Sequence, residues 1–368
     1  MSSSDTVRIA VMPGDGIGPE VTDVTVSVLE RLAKRHGLGL ETETLVAGAF
    51  AYRDTGSAMS EATFRRAEAA DAILLGAMGW PGIRYPDGTE LAPQLDLRFR
   101  LGLYAGVRPI RAIPGVPTAL ADPRAAGIDF VLLRESTEGL FWSRDRGEVI
   151  DDREARETMV ITRETTARLS RFAFRLAADR AARLGRPGRV TLVDKANVFR
   201  AFAFMRRVFD AVAAEHPDIA ADHHYVDAMA LDLVRRPWDF DVLPTENMFG
   251  DILSDLAAGL IGGMGFAPSA DIGDSHAVFQ PSHGTAPDIA GQGIANPTAT
   301  LLSAAMMLDW LAGRGAGENW REAARELEQA VRGAFADGLR TRDIGGTDGT
   351  AAAARAVGER LRGDRGAS

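Results

Sequence analysis

The segment GDILSD, residues 250–255, separates Asp251 and Asp255 by four positions. In a helix this spacing puts both carboxylates on one face, where like charges repel unless a cation lies between them. Carboxylates are hard ligands that suit Mg²⁺ or Mn²⁺ better than zinc. A helix start with solvated carboxylates is the alternative, although the apolar flanks NMF and LAAGLIGGMGF are unusual for an exposed face. Asp227, in HHYVDAM, lies beside another apolar stretch and could complete a hard-cation site.

Three arginines could bind carboxylates: Arg98 in LDLRFR, Arg108 in GVRPI and Arg134 in LLRES. Arg134 ends an apolar, strand-like run, and ligands of α/β folds bind beyond the carboxyl ends of such strands. Arg108 precedes Pro109, which favours an extended backbone. Taken singly, each arginine could equally form a surface ion pair. Together, converging guanidinium groups would suit a dicarboxylate or tricarboxylate, because their forked donors match each carboxylate.

Lysine is rare in this chain, which has only Lys34 and Lys195. Lys195 follows the apolar run RVTLVD, residues 189–194. A lysine at the end of a buried strand can act as a general base if nearby positive charge lowers its pKa. The alternative is a surface lysine whose stem covers apolar neighbours.

The stretch VMPGDGIGPEV, residues 11–21, resembles a dinucleotide fingerprint but lacks one of its glycines. Gly14 and Gly16 follow an apolar run, yet Pro19 stands where G-x-G-x-x-G requires its third glycine. That glycine permits close packing of helix on strand. Proline is tolerated in the first turn of a helix. The stretch therefore predicts a tight strand-to-helix turn rather than a Rossmann site.

A second glycine-rich stretch, SHGTAPDIAGQGIANP at residues 282–297, is a better candidate for a cofactor loop. Its glycines, Gly284, Gly291 and Gly293, let the backbone approach a ligand closely. Asp288 could accept a hydrogen bond from a ribose hydroxyl.

Alternating strand and helix patterns would position these side chains. Short apolar runs predict buried strands at residues 7–12, 72–77, 130–135, 189–194 and 240–245. Longer helical patterns separate them, as over residues 163–185. This alternation predicts an α/β fold with a largely parallel sheet.

Composition limits the classes of function. A chain of 368 residues with 46% hydrophobic and 25% charged residues predicts two domains or one large α/β unit. The net charge of -9 argues against a nucleic-acid or acidic-membrane partner. The absence of cysteine excludes disulfides and thiolate chemistry and fits a reducing cytosol. With no signal-peptide pattern and no long apolar run, we expect a cytoplasmic protein without a membrane span.

Seven motifs, in the same order along the chain, resemble those of the β-decarboxylating hydroxyacid dehydrogenases. They are GDGIGPEV, LRFRLGLYAGVRP, RESTEGL, VDKANV, YVDAMALDLV, NMFGDILSD and HGTAPDIAGQGIANP. The family includes isopropylmalate, isocitrate, homoisocitrate and tartrate/D-malate dehydrogenases, and this pattern is most similar to isopropylmalate dehydrogenase-like members. The resemblance implies a non-Rossmann, two-domain α/β fold with a mixed, largely parallel sheet. Residues 1–108 and 261–368 would form the cofactor-binding domain, and residues 109–260 an inserted domain with the dimer interface.

The resemblance also implies oxidative decarboxylation of a 3-substituted malate with NAD and a divalent metal. Asp227, Asp251 and Asp255 would hold Mg²⁺ or Mn²⁺ against the α-hydroxyl and C1 carboxylate of the substrate. Lys195 would take the hydroxyl proton as hydride passes to NAD, and the β-keto acid would then lose CO₂ and be protonated at C3. In the family, the catalytic residues Lys195 and Asp227 come from the partner subunit, so a homodimer with shared active sites is implied.

Further site residues follow from the same resemblance. Arg98, Arg108 and Arg134 would bind the C3 carboxylate. The cofactor contacts would be His283, Gly284, Thr285, Ala286, Asp288 and Asn296. The carboxylate of Asp288 would repel a 2′-phosphate, which favours NAD over NADP.

The chain departs from the family pattern at two positions. Phe141 stands seven residues after Arg134, where the family has a tyrosine that protonates the enol, and phenylalanine has no proton to donate. Water or a nearby tyrosine such as Tyr104 could replace it, or the enzyme could oxidise its substrate without efficient enol protonation. The alternative of another class is an impaired ligand-binding or regulatory paralogue. At the second position, Gln280 stands where the family commonly has glutamate.

The choice of substrate is expected to depend on residues that precede Arg98 by about one helical turn or more. These positions are Leu91, Gln94 and Leu95, and Gln94 makes an otherwise aliphatic pocket mixed. We expect a 3-substituted malate, with isopropylmalate first. Isocitrate, homoisocitrate, tartrate or D-malate are the alternatives.

Overall fold

A computed structural model describes residues 6–144 and 146–361, and within these ranges strands alternate with helices. The strands are β1 (Val7–Gly14), β2 (Leu40–Thr44), β3 (Ala72–Ala77), β4 (Ala105–Arg111), β5 (Asp129–Glu135), β6 (Glu148–Ile150), β7 (Glu154–Arg156), β8 (Arg189–Asp194), β9 (Ala220–Tyr225), β10 (Val242–Thr245), β11 (Pro268–Ile272) and β12 (Ala277–Pro281). The helices are α1 (Gly18–His36), α2 (Ala49–Thr55), α3 (Glu61–Glu68), α4 (Pro93–Arg100), α5 (Arg163–Leu184), α6 (Arg200–Ala213), α7 (Val226–Arg235), α8 (Asn247–Leu260), α9 (Thr298–Leu311), α10 (Glu318–Ala336) and α11 (Thr350–Arg360). None of these helices is long and apolar enough to cross a bilayer.

Ten of the described strands form one sheet in the order β2-β1-β3-β12-β11-β4-β5-β10-β8-β9, and β6 and β7 form a separate hairpin. Within the ten-stranded sheet, the β12–β11, β11–β4 and β4–β5 pairs are antiparallel and the other pairs are parallel. The predicted α/β fold with a mixed, largely parallel sheet is therefore confirmed. Strands from residues 1–108 and 261–368 occupy one half of the sheet and those from 109–260 the other, with β4 between them. The division into two domains stays a prediction.

The local sequence explains most of these elements. AILLGA of β3 is buried at every position, as expected of a strand covered on both faces. Helix α5 begins after Thr162, whose side chain accepts from the backbone N–H of Thr165, and it ends at Gly185 in the left-handed region. The predicted helix over residues 163–185 is therefore confirmed almost to its ends.

The sheet register brings several chain segments to one edge. Thr245 of β10 lies beside Arg134 of β5 on one side and beside Val193 of β8 on the other. These strands are parallel, so their carboxyl ends lie at the same edge of the sheet. Lys195 after β8, helix α8 after β10 and Arg134 near the end of β5 therefore lie along that edge. Ligands of α/β sheets bind at such an edge.

Candidate active site

A cavity of about 180 Å³ lies where β3, β5 and β12 end and where α4 and α8 approach the sheet. Its polar lining includes Gln94, Arg98, Arg108, Arg134, Asp251, Ser254, Asp255, Ser269, Gln280 and His283. The cavity therefore gathers both the predicted arginines and two of the three predicted metal-binding carboxylates.

The three arginines come from separate elements, Arg98 from α4, Arg108 from β4 and Arg134 from β5, and each is more than nine-tenths buried. Arg134 donates from Nε to Asn247 over 2.9 Å and from Nη1 to Asp251, and Arg108 donates to Ser269. Burial, followed by the charge of Arg98, lowers the pKa of Arg134 to about 10. The guanidinium group of Arg134 thus stays protonated at neutral pH, and the three arginines form a compact site for carboxylates.

Helix α8 carries Asp251 and Asp255 on its cavity face, as the four-residue spacing predicts. The side chain of Glu246 starts the helix by accepting from the backbone N–H groups of Met248 and Phe249. The helix packs close to β5 because residue 250 is glycine: a Cβ there would lie 2.7 Å from the Cβ of Arg134.

The two carboxylates of α8 have different surroundings. The side chain of Asp251 is 49% exposed and contacts Arg134. Burial, and then the charge of Asp251, raises the pKa of Asp255. A bound cation would relieve this repulsion, and a pair of carboxylates suits Mg²⁺ or Mn²⁺. The donor set at the cavity therefore fits part of a divalent-metal site.

Lys195 and Asp227 lie together, but outside the cavity lining. The Lys195 amine contacts the Asp227 carboxylate at 2.5 Å, with 23% and 67% of the two side chains exposed. The hydrogen bond from Lys195 lowers the pKa of Asp227. Among the described residues, no three His, Asp or Glu side chains gather where they could hold one metal ion. Within one chain, therefore, Asp227 does not complete a site with Asp251 and Asp255.

The glycine-rich loop after β12 is held in place by the GDGIGPE turn. The carbonyl of Thr285 accepts from the backbone N–H of Ile17 over 2.9 Å, and a Cβ at Gly16 would lie 2.1 Å from that carbonyl oxygen. The Glu20 carboxylate accepts from the N–H of Ala295. Gly16 has φ 61°, so the turn needs glycine for conformation as well as space. The turn therefore braces the candidate cofactor loop.

Within that loop, His283 has an unused hydrogen-bonding atom. Its Nδ1 lies 2.9 Å from the carbonyl of Gly284, and its buried Nε2 has no partner in the described part of the chain. Burial lowers the pKa of His283, so the ring is neutral. Asn296 donates to Asp343, while Asp288 is exposed at the loop surface. An orphaned buried nitrogen and an exposed carboxylate on one loop fit a polar cofactor such as a dinucleotide.

The three predicted substrate-selecting residues occupy different surroundings. Gln94 lines the cavity, and its buried Oε1 has no hydrogen-bond partner among the described residues. Leu91 is 1% exposed and packs beside Tyr52 and Trp80 in a small apolar cluster. Neither Leu91 nor Leu95 belongs to the described cavity lining. Leu91 lies outside the lining because α4 begins only at Pro93, so the helical spacing counted back from Arg98 does not extend to Leu91.

Phe141 lies beside the arginines, whereas Tyr104 does not. The Arg134 guanidinium carbon is 5.0 Å from the centre of the Phe141 ring, a cation–π contact. Tyr104 is 4% exposed and packs between Phe172 and Arg168. It is not among the described residues of the cavity lining, and no described contact joins it to the three arginines of the cavity.

One buried residue of the site, Asp271 of β11, was not foreseen from the sequence. It lies between Arg98 and Arg108 and is 1% exposed. The signal that could have revealed it is a lone acid within the short strand PSADI, where a buried charge requires a partner.

Comparisons with known proteins agree over almost the whole chain. A family model described as isocitrate/isopropylmalate dehydrogenase matches residues 8–361. The 3-isopropylmalate/3-methylmalate dehydrogenase of Methanocaldococcus jannaschii is 43% identical over 356 residues, which are 96% of this chain and 99% of that protein. A 3-isopropylmalate dehydrogenase of Xanthomonas oryzae pv. oryzae is 42% identical over 346 residues, 92% of this chain and 93% of that protein.

Two solved structures share the fold. The isocitrate dehydrogenase from Methylococcus capsulatus has a TM-score of 0.84 at 38% identity and covers 97% of this chain and 100% of its own. A beta-decarboxylating dehydrogenase from Thermococcus kodakarensis has a TM-score of 0.78 at 37% identity, with 97% and 96% covered.

Proposed function

Because the chain belongs to the isocitrate/isopropylmalate dehydrogenase family and is a decarboxylating dehydrogenase, we propose that it oxidises a 3-alkylmalate with NAD and a divalent metal. Isopropylmalate is the first candidate substrate, in line with the names of the two relatives. The observation that carries the proposal is the convergence of Arg98, Arg108 and Arg134 with Asp251 and Asp255 in one cavity. Such a cavity offers guanidinium groups to a carboxylate and two acids to a cation.

The chain's own residues would divide the work between binding and proton transfer. The arginines bind the C3 carboxylate and orient the substrate. Lys195 of a second copy takes the proton from the C2 hydroxyl, and Asp227 of that same copy lies beside its amine. Mg²⁺ or Mn²⁺, held by Asp251 and Asp255 with Asp227 of a second copy, would supply a Lewis acid that polarises the C2 oxygen.

We also propose a homodimer, and the positions of these residues support it. Neither Lys195 nor Asp227 belongs to the described lining of the cavity in its own chain, and the side chain of Asp227 is 67% exposed. Large apolar side chains are exposed on the neighbouring elements: Val198, Phe199, Tyr225, Leu231, Val234 and Ile252. Helices α7 and α8, which carry three of them, pack together. An exposed apolar patch of this kind supports an interface with a second copy, which would bring Lys195 and Asp227 to the partner's cavity.

The proposal is tested with a panel of malates, NAD and either Mg²⁺ or Mn²⁺. The panel contains malate, 3-methylmalate, 3-isopropylmalate, isocitrate, homoisocitrate and tartrate, and reduced nicotinamide is followed by absorbance. We expect the highest kcat/KM with a 3-alkylmalate. If a folded dimer turns over none of them, the chain instead has a ligand-binding role.

Replacing Asp288 by serine is expected to shift the cofactor preference toward NADP. An exposed carboxylate near the adenosine ribose disfavours a 2′-phosphate by like-charge repulsion, so its removal should change the NAD-to-NADP ratio of kcat/KM by about tenfold or more. Asp309→Asn, which alters an exposed acid on α9 paired with Arg321, is the control and should leave the ratio unchanged. An unaltered ratio in Asp288→Ser would place the ribose elsewhere.

Phe141→Tyr is expected to raise CO₂ release relative to accumulation of the β-keto acid that has not yet lost CO₂. The ring at position 141 lies against Arg134, so a hydroxyl there would be close to the bound C3 carboxylate. Parallel assays of CO₂ and of the β-keto acid that still carries its C3 carboxylate give the ratio of the two. Phe204→Tyr is a matched control, because a guanidinium also lies over that ring, 5.5 Å from its centre, on helix α6. An identical product ratio in Phe141→Tyr and the wild type would show that proton donation at this position does not limit the reaction.

A further inference from the structure

Asp271 forms a buried contact set directly behind the arginines of the cavity. Its carboxylate accepts from Nε of Arg98 over 2.9 Å and lies 3.7 Å from Arg108. The hydroxyl of Ser136 lies 3.3 Å from its second oxygen. The arginines line the cavity, whereas Asp271 does not belong to its described lining. Asp271 therefore contacts the residues that would hold a substrate without facing the substrate itself.

Gln280 completes the contacts of this carboxylate. It lies on β12, next to β11, and its amide nitrogen donates to Asp271 over 3.0 Å. Gln280 is 7% exposed and also lines the cavity. A glutamate at position 280 would put a second carboxylate about as close to Asp271, since the two side chains have nearly the same shape. Gln280 thus keeps the number of negative charges at this point to one.

The charged groups that face Asp271 are arginines from three elements. Burial alone would raise the pKa of Asp271, but Arg98 of α4, Arg108 of β4 and Arg134 of β5 more than offset it, and the pKa is lowered. The other elements packed against β11 and β12 are β3, which has no ionisable residue, and α9, whose only ionisable residue, Asp309, is exposed and paired with Arg321. Asp271 is therefore ionised and neutralises part of a crowded positive cluster.

The packing around Asp271 leaves its side chain little room to move. A Cβ at Gly106 of β4 would lie 2.6 Å from the Ser136 hydroxyl and 3.2 Å from the Asp271 carboxylate. Because Arg98 uses Nε for Asp271, its two terminal nitrogens are the ones left for the cavity. The carboxylate thereby fixes the plane of the guanidinium that a substrate carboxylate would meet.

We propose that Asp271 and Gln280 form a positioning pair that carries one negative charge and sets the orientation of Arg98 and Arg108 for the substrate carboxylate. Asp271 acts through the arginines from behind the cavity, and Gln280, which lines the cavity, holds the Asp271 carboxylate. The proposal rests on the proposed function, because it concerns how the cavity holds a 3-substituted malate.

Three variants change the number and the place of the charge. Asp271→Asn removes the negative charge, and Gln280→Glu adds a second one. The double variant Asp271→Asn/Gln280→Glu again has one negative charge, now at position 280. Hydrogen bonds to charged groups are typically worth enough to change binding by about 10- to 100-fold. We expect each single variant to raise the KM for the malate by about tenfold or more, with kcat within about threefold, since the arginines hold ground state and transition state alike. The double variant should return KM to within about threefold of the wild type, which is the non-additivity expected of two residues in contact.

The matched control is Asp241→Asn, which disrupts another buried pair, between Asp241 and Arg180 at 2.8 Å and away from the cavity. It should lower the melting temperature and leave KM unchanged. If Asp271→Asn does not fold, the comparison of Gln280→Glu with the double variant still measures the effect of one charge against two. A wild-type KM in Asp271→Asn, or a double variant whose defects simply add, overturns the proposal.

A binding measurement separates this proposal from the proposed function. Titration calorimetry with malate and Mg²⁺ measures the affinity of the cavity for malate without turnover. If the wild type binds malate but oxidises no member of the panel, the proposed function fails, while weaker binding by Asp271→Asn and its recovery in the double variant still support the positioning pair. If the wild type is active and all three variants bind malate equally well, only the positioning pair fails.

Discussion

Lys195→Met is expected to lower kcat by about 1,000-fold or more, because loss of a positioned general base typically costs about 100- to 10,000-fold. Methionine keeps most of the length and the apolar stem of lysine but cannot accept a proton. The ion pair that is lost, with Asp227, has an exposed carboxylate, so the melting temperature should change little. Steady-state formation of reduced nicotinamide with isopropylmalate measures the effect. A kcat within tenfold of the wild type would assign the base to another residue.

Mixing two inactive variants tests whether this lysine serves a second copy. In a heterodimer of Lys195→Met and Asp251→Asn chains, one of the two shared sites keeps both residues and the other has neither. Random re-association in equal amounts should therefore restore about a quarter of the wild-type activity, as two-fold symmetry requires. No recovery after mixing, with heterodimers present, would mean that each site lies within one chain.

The strands that the sequence predicts are those that the fold buries. Strands such as AILLGA and RVTLVD are buried at nearly every position, because both faces of the sheet are covered. Strands β2 and β9 gave no such signal: LETET and AADHHY lie at the two edges of the sheet and are mostly exposed. Edge strands are held by backbone pairing, which hydropathy does not report.

The central strands β11 and β12 were missed for a different reason. PSADI and AVFQP each carry a polar side chain that the sheet turns toward the site, Asp271 and Gln280. A buried acid in a strand is acceptable only when cations from distant parts of the sequence meet it. Spacing alone could not show that residues from β4 and α4 would converge there.

For the site itself, local periodicity succeeded within elements and failed at their ends. Asp251 and Asp255 share the predicted helical face because α8 covers both. Leu91 was predicted to share a helical face with Arg98, but α4 starts two residues after Leu91 and does not include it. The grouping of Asp227 with Asp251 and Asp255 was suggested by its apolar neighbours and then by the resemblance, but the described residues of one chain do not bring the three together. That part of the site stays a prediction about the dimer.

Asp251→Asn is expected to weaken divalent-metal binding by at least about tenfold and to reduce kcat/KM by about 1,000-fold at a fixed, low Mg²⁺ concentration, since a charged ligand is replaced by a neutral one. The half-exposed carboxylate pairs with the buried Arg134, so its loss should also lower the melting temperature, and thermal unfolding is measured alongside activity. Binding of Mn²⁺, followed by electron paramagnetic resonance, gives a reading that does not depend on turnover.

The contact between Asp251 and Arg134 creates a competing explanation, which the metal titration resolves. If Asp251 is a ligand, raising Mg²⁺ or Mn²⁺ should recover activity in Asp251→Asn, because mass action offsets a weaker site. If Asp251 serves only to hold Arg134, additional Mg²⁺ or Mn²⁺ should not recover the activity of Asp251→Asn. The KM for the malate should rise instead. Asp210→Asn, an exposed acid on α6 paired with His223, is the control and should match the wild type in both measurements. Wild-type Mn²⁺ affinity in Asp251→Asn would remove α8 from the metal site.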